Sequence, residues 1–237
     1  MTTNVKVRAV GYFLLGIKLI FKSGIRQFVW IPIAINTLLF SLASWLLWEH
    51  MAAVLNNMLP TWLEWLSWFL IPIFSLIILV IVYFCFTLFA NIIAAPFYNY
   101  LARRVESDFL GDDYSTEKDE SLMVESLAIM GSEIRKVLYY LLRAVPLLML
   151  SIIPGLNIIT LPLWFIFSAW FLAFEYTGYY FENHQILFQQ QKHLLKEDKL
   201  NIILFGSLCL LFTSIPILNL FIPAIAVAGA TRMQLDN

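Results

Sequence analysis

Just ahead of the first long apolar run the chain reads Lys22-Ser23-Gly24-Ile25-Arg26-Gln27, a set of donors with no carboxylate among them. Ser23 suits the N-cap position, and Gly24, Ile25, Arg26 and Gln27 then form a first helical turn whose amides lack intrahelical acceptors. Such amides, the positive end of the helix dipole and the charges of Lys22 and Arg26 together make an anion site. A site built only of donors favours a fully ionised tetrahedral oxyanion such as sulfate, which offers acceptors and carries no proton at neutral pH. The competing reading of the two cations is a pair of snorkelling anchors at a membrane edge.

Further charges border the other apolar runs. Arg103, Arg104 and Glu106 follow the second, Arg143 precedes the third, and Glu175 and Glu182 follow it. Charges at such depth are costly unless paired or facing a wet cavity, so they mark either an ion pathway or the level of the headgroups. Arg143 and Glu175 are expected to pair with each other. Asn157 and Asn219 occupy equivalent places in two I-P-x-L-N segments, where a side-chain amide either donates to an anion or satisfies a turn.

Enzyme chemistry finds no foothold. The chain has no GxxxxGK[ST], HExxH or GxSxG motif, the patterns that would signal an ATP-driven motor, a zinc protease or a serine hydrolase. His50, His184 and His193 lie in unrelated segments, and Cys85 and Cys209 fit no metal-ligand spacing. No catalytic residue, metal or cofactor is expected. A net charge of -1 leaves no cation excess to neutralise nucleic-acid phosphates.

What must position these residues is a set of membrane helices. The chain is 61% hydrophobic and 13% charged, with a mean hydropathy of +0.79, which places it outside the soluble globular class. Residues 1–22 are basic and then apolar, but Lys18 and Lys22 interrupt the apolar part, which predicts a retained amphipathic helix rather than a signal peptide. Residues 24–48 form the first full span, since roughly 20 apolar residues cross a hydrocarbon core. Trp62, Trp65 and Trp68 predict an interfacial loop. A second span with a bent extension past Asn91 and Pro96 covers 66–102, and a polar region follows at 103–136.

Two later charge-free runs, Ala144 to Phe174 and Asn201 to Thr231, have 31 residues each, too many for one crossing and too few for two. Each carries I-P-x-L-N near its middle and a second proline beyond it. Proline removes an amide donor and disfavours helix just before it. The runs therefore read as re-entrant hairpins, 138–174 and 202–231, joined by a polar connector at 175–200; the alternative is a single span kinked at proline. Lys and Arg are missing from the loop between the two full spans, so by the positive-inside rule that loop faces out and both termini face the cytoplasm. The expected fold is an all-α integral membrane protein with two full transmembrane helices, two re-entrant hairpins and amphipathic helices.

Three long segments carry a resemblance: NIIAAPFYNYLARRVE from Asn91, IPGLNIITLPLWFIFSAWFLAFEY from Ile153 with the following ENHQILFQQQK, and the terminal IPILNLFIPAIAVAGATRM. They resemble the CysZ family of bacterial inner-membrane sulfate transporters over essentially the whole chain. The resemblance implies ATP-independent sulfate import for assimilatory reduction and cysteine synthesis, a bilayer partner and a homo-oligomer of at least two subunits. It also implies a sulfate site at a Gly-Leu-Arg motif, present here as Gly24-Ile25-Arg26, with Gln27 where a second arginine is frequent. The alternative function is a non-transporting scaffold that shapes lipid with half-inserted hairpins. A scaffold tolerates Arg26→Ala, whereas an anion site loses affinity.

Overall fold

The computed structural model describes residues 3–58, 67–111 and 122–236. Trp62 and Trp65 of the expected interfacial loop lie outside the described residues. All regular structure among the described residues is helical: α1 (Thr3–Ile20), α2 (Gln27–Met58), α3 (Ser67–Leu110), α4 (Leu122–Ile152), α5 (Asn157–Asn183), α6 (Phe188–Glu197), α7 (Lys199–Thr213), α8 (Pro216–Asn219) and α9 (Ile222–Leu235). The chain forms two compact units, residues 30–97 and the remainder.

The unit of residues 30–97 consists of the greater parts of α2 and α3. Its helices carry Pro32, Pro72 and Pro96 in their interiors, and large apolar side chains such as Leu38, Trp45, Trp68 and Leu76 stand exposed. Patches of that kind on a helix surface suit lipid rather than water.

In the other unit α1, α5, α7 and α9 pack around a common core. Phe174, Phe205, Cys209, Val227 and Met233 are fully buried there. Small residues set the helix crossings. A side chain at Gly16 would strike the carbonyl of Ile225, one at Gly229 would come within 2.6 Å of the Tyr12 carbonyl, and one at Gly206 would strike the carbonyl of Ala169. Backbones that approach so closely gain dispersion energy where no hydrophobic force acts between helices in lipid. One face of α1 is packed inside the protein, where Ala9, Phe13, Leu19 and Ile20 are buried and α7 and α9 lie on the helix, while Val10 and Leu14 stay exposed.

The two I-P-x-L-N segments reverse the chain by different means. Between α4 and α5, Pro154 precedes Gly155, which sits at φ +87, a left-handed conformation that glycine adopts without penalty. Ile217 stands where the first motif has glycine. There Ile215 is extended ahead of Pro216 (φ -96, ψ 113) and the chain makes the single helical turn α8 instead. The first pair of helices is antiparallel: Trp164 Nε1 donates to Ser151 Oγ at 3.0 Å, Tyr140 packs on Phe171 with ring centroids 4.3 Å apart, and Lys136 reaches Glu175 at 3.3 Å.

One helix is longer than its charge-free run. With 27 residues α5 measures about 40 Å at 1.5 Å per residue, and from Ile158 to Asn183 it is long and apolar enough to cross a membrane. The sequence predicts a half-length arm ending near Phe174. Glu175 does not stop the helix, since glutamate is a good helix former, and Lys136 lies 3.3 Å from it across the α4–α5 pair.

Candidate functional site

The turn joining α1 to α2 is tight. The amides of Ile25 and Arg26 both donate to the Lys22 carbonyl, each at 3.1 Å, and those of Phe28 and Val29 donate to Ile25 and Arg26. Gly24 lies at φ +88, so the helix cannot start at Ser23. It begins at Gln27, and the expected N-cap role of Ser23 gives way to a left-handed glycine turn. Ile25 is buried and pins the turn, while Arg26 points to the exterior. Among the described residues no acceptor takes the amides of Ser23, Gly24 or Gln27. Unpaired donors grouped in this way are the elements of a backbone anion nest.

The last turns of α3 converge on the same place. The guanidinium of Arg104 covers Gly24, where an added Cβ would lie 3.4 Å from Nη2 and 3.5 Å from Nε. One turn on, Asp108 receives Lys22 Nζ on both carboxylate oxygens, at 2.6 and 2.5 Å. Lys22 is thus tied to a carboxylate and contributes little net charge, while Arg26 and the Arg104 guanidinium lie at the turn. Asp108 escapes a search for donors, yet its spacing from Arg104 gives the signal, since residues four apart share a helix face.

Arg103 and Glu106 belong to a second cluster at the foot of α5. Arg103 Nε donates to Asn183 Oδ1 at 2.9 Å, and Asn183 Nδ2 donates to the Asn99 carbonyl at 3.1 Å. Glu106, only 3% exposed, lies 2.7 Å from His184 Nε2, whose ring also packs on Tyr180. Asn183→Leu should therefore leave two half-buried polar groups without this partner, one of them a guanidinium, and cost about 2 kcal/mol. Thermal unfolding in detergent is the check, with a fall in midpoint of roughly 5 °C expected on this estimate.

The remaining sequence-selected residues separate. Glu175 pairs with Lys136, not with Arg143. Arg143 instead folds over its own helix, with Cζ 3.6 Å from the Tyr139 ring centroid and Nη1 donating to the Tyr139 carbonyl at 3.1 Å. Asn219 is exposed at the end of α8. Asn157 opens α5, about 40 Å along that helix from the Arg103–Asn183 contact. Among the described residues no group of His, Cys, Asp and Glu could hold a metal ion.

The surface at the α4–α5 reversal is wholly unsuited to water. Ile152 and Ile158, on either side of the turn, are 79% and 80% exposed. A helical membrane protein that presents a donor-rich turn at the foot of α2 is the class defined by fold and site. Residues 12–223 match the family described as Sulfate transporter CysZ/Etoposide-induced protein 2.4, and the chain belongs to that family. Similar proteins include the sulfate transporters CysZ of Salmonella typhimurium, Salmonella enteritidis PT4 and Salmonella typhi. Each is 40% identical over 239 aligned residues, covering 99% of this chain and 94% of the relative.

Proposed function

We propose that this chain is a sulfate permease working without ATP, and that it holds sulfate transiently at the Ser23–Gln27 turn. The observation that carries this reading is the left-handed Gly24 beneath the Arg104 guanidinium, beside amides that have no acceptor among the described residues. Family membership supports the same ion. The sulfate delivered feeds assimilatory reduction and cysteine synthesis. Asp108 cancels Lys22, which lowers the positive charge of the turn and suits a site weak enough to release its ion as conduction demands.

In this reading the protein is a multi-pass homo-oligomer of the bacterial inner membrane, with both termini in the cytoplasm. The described lengths of the second hairpin favour re-entry, because α7 and α9 have 15 and 14 residues and a crossing needs about 20. An inside-negative potential opposes entry of a dianion by about 4.6 kcal/mol per 100 mV. Removal of cytoplasmic sulfate or coupling to protons must offset that term.

The test is uptake of labelled sulfate into proteoliposomes, with Arg26→Ala and empty vesicles alongside. Arg26→Ala should reduce protein-dependent uptake about tenfold, the loss of one charge-assisted contact of about 1.4 kcal/mol. Uptake by the folded wild-type protein no greater than that of empty vesicles would overturn the proposal in favour of a membrane scaffold.

A further inference from the structure

At the junction of α4 and α6 one aromatic ring carries two cations. Arg143 Cζ lies 3.6 Å from the Tyr139 ring centroid and Lys192 Nζ lies 4.8 Å from it. The ring is itself held in place, packed edge-on against Phe188 with centroids 5.4 Å apart, and Phe188 is buried. Neither cation has a carboxylate partner among the described residues. Glu175, the acid that Arg143 is expected to meet, contacts Lys136 instead. Burial pushes the pKa of Lys192 down, and the neighbouring charges of Lys196 and Arg143 add to the effect. Two like charges gathered on one rigid platform repel each other unless an anion sits between them. Cation–π contact orients the pair without neutralising it.

The surroundings say which anion. Leu138, Leu141, Leu142 and Val145 of α4 flank Arg143 in sequence and are each about half exposed or more, and the exposed apolar surface of the helix continues through Leu148 and Met149 to the reversal at Ile152. An inorganic anion has no use for such a surface. A lipid has: its acyl chains lie along the apolar residues of α4 while its phosphate sits at the cationic end. Basic groups between helices at the cytoplasmic membrane edge are the usual receivers of anionic headgroups.

We propose that Arg143 and Lys192, assembled on Tyr139, bind the phosphate of an anionic phospholipid at the cytoplasmic edge of α4. The assignment separates Arg143 from the ion path and rests on the membrane class of the protein, not on sulfate transport. Phosphatidylglycerol and phosphatidylcholine retention by the detergent-solubilised full chain, measured by native mass spectrometry, tests it independently of uptake. The wild-type protein should retain phosphatidylglycerol preferentially, and an Arg143→Ala, Lys192→Ala variant should bind it about thirtyfold more weakly, the scale set by two surface cations. Equal retention of the two lipids, unchanged phosphatidylglycerol affinity in the variant, or displacement of the lipid by millimolar inorganic sulfate would each overturn it, the last by making this a free-anion site. Should the double variant fail to fold by circular dichroism, Lys192→Gln replaces it. A loss of about fivefold is then expected from a single cation, and no loss would refute the site.

Discussion

Gly206→Leu is expected to open the core, lowering the unfolding midpoint in detergent by roughly 10 °C or more on the scale of about 4 kcal/mol. The reason is geometric. Even a methyl group at Gly206 would strike the Ala169 carbonyl, approach the Ala169 carbonyl carbon to 2.7 Å and reach the Ala173 methyl at 2.9 Å. Two of these atoms are backbone, so no rotamer change relieves the clash and α7 must move away from α5. That movement uncovers Phe205 and Cys209, both fully buried, and adds the loss of packing to the cost of overpacking. Gly11→Ala is the matched control: an added Cβ there meets nothing within 4 Å, and the better helix former should be neutral or stabilise by up to ~1 kcal/mol. Equal midpoints for wild type and Gly206→Leu would show that the α5–α7 contact does not hold the core together.

Gly24→Val should leave that core intact and strike transport instead, with sulfate uptake falling about a hundredfold. Two contributions add. A β-branched residue at φ +88 is held in the left-handed region at a cost of about 1–2 kcal/mol. Its side chain also occupies the space of the Arg104 guanidinium, 3.4 Å from the position of an added Cβ, and loss of a charge-assisted contact to the anion is worth about 1.5 kcal/mol. Their total of about 3 kcal/mol corresponds to a factor of about 100. Uptake by proteoliposomes, paired with an unfolding curve, separates the local effect from misfolding. A variant that unfolds at the wild-type temperature and transports at the wild-type rate would remove the Gly24 turn from the sulfate path.

These two glycines also differ in how far the sequence exposes their roles. Gly24 stands among donors at the mouth of an apolar run, and that setting alone singles it out as a candidate for the proposed anion site. Nothing around Gly206 distinguishes it from any small residue in an apolar helix. Its importance comes from Ala169 and Ala173, which a different helix brings to it. The same holds for the charged residues. Arg103, Arg104 and Glu106 are visible as costly charges at a membrane border, but their separate duties are not: Arg104 covers the Gly24 turn, whereas Arg103 and Glu106 dock α3 onto Asn183 and His184. Pairing by proximity at the hairpin base pointed Glu175 to Arg143. The helix geometry chose Lys136, and α5 runs on to Asn183.

By itself the sequence determined the all-helical class, the membrane as solvent, the two chain reversals at I-P-x-L-N and the cluster of donor residues before α2, though not the left-handed turn at Gly24 that arranges them. Each of these rests on local chemistry: apolar runs without charge, prolines that end helices, and Lys, Arg, Ser and Gln gathered at a helix start. Tertiary structure alone decided the covering of Gly24 by Arg104, the neutralisation of Lys22 by Asp108 86 residues away, and the burial of α1 against α7 and α9. Those outcomes depend on which helix faces meet, and the meeting is governed by close backbone contact at Gly16, Gly206 and Gly229. Shape complementarity between distant segments has no local signature, so the partners of a charge become known only when the helices pack.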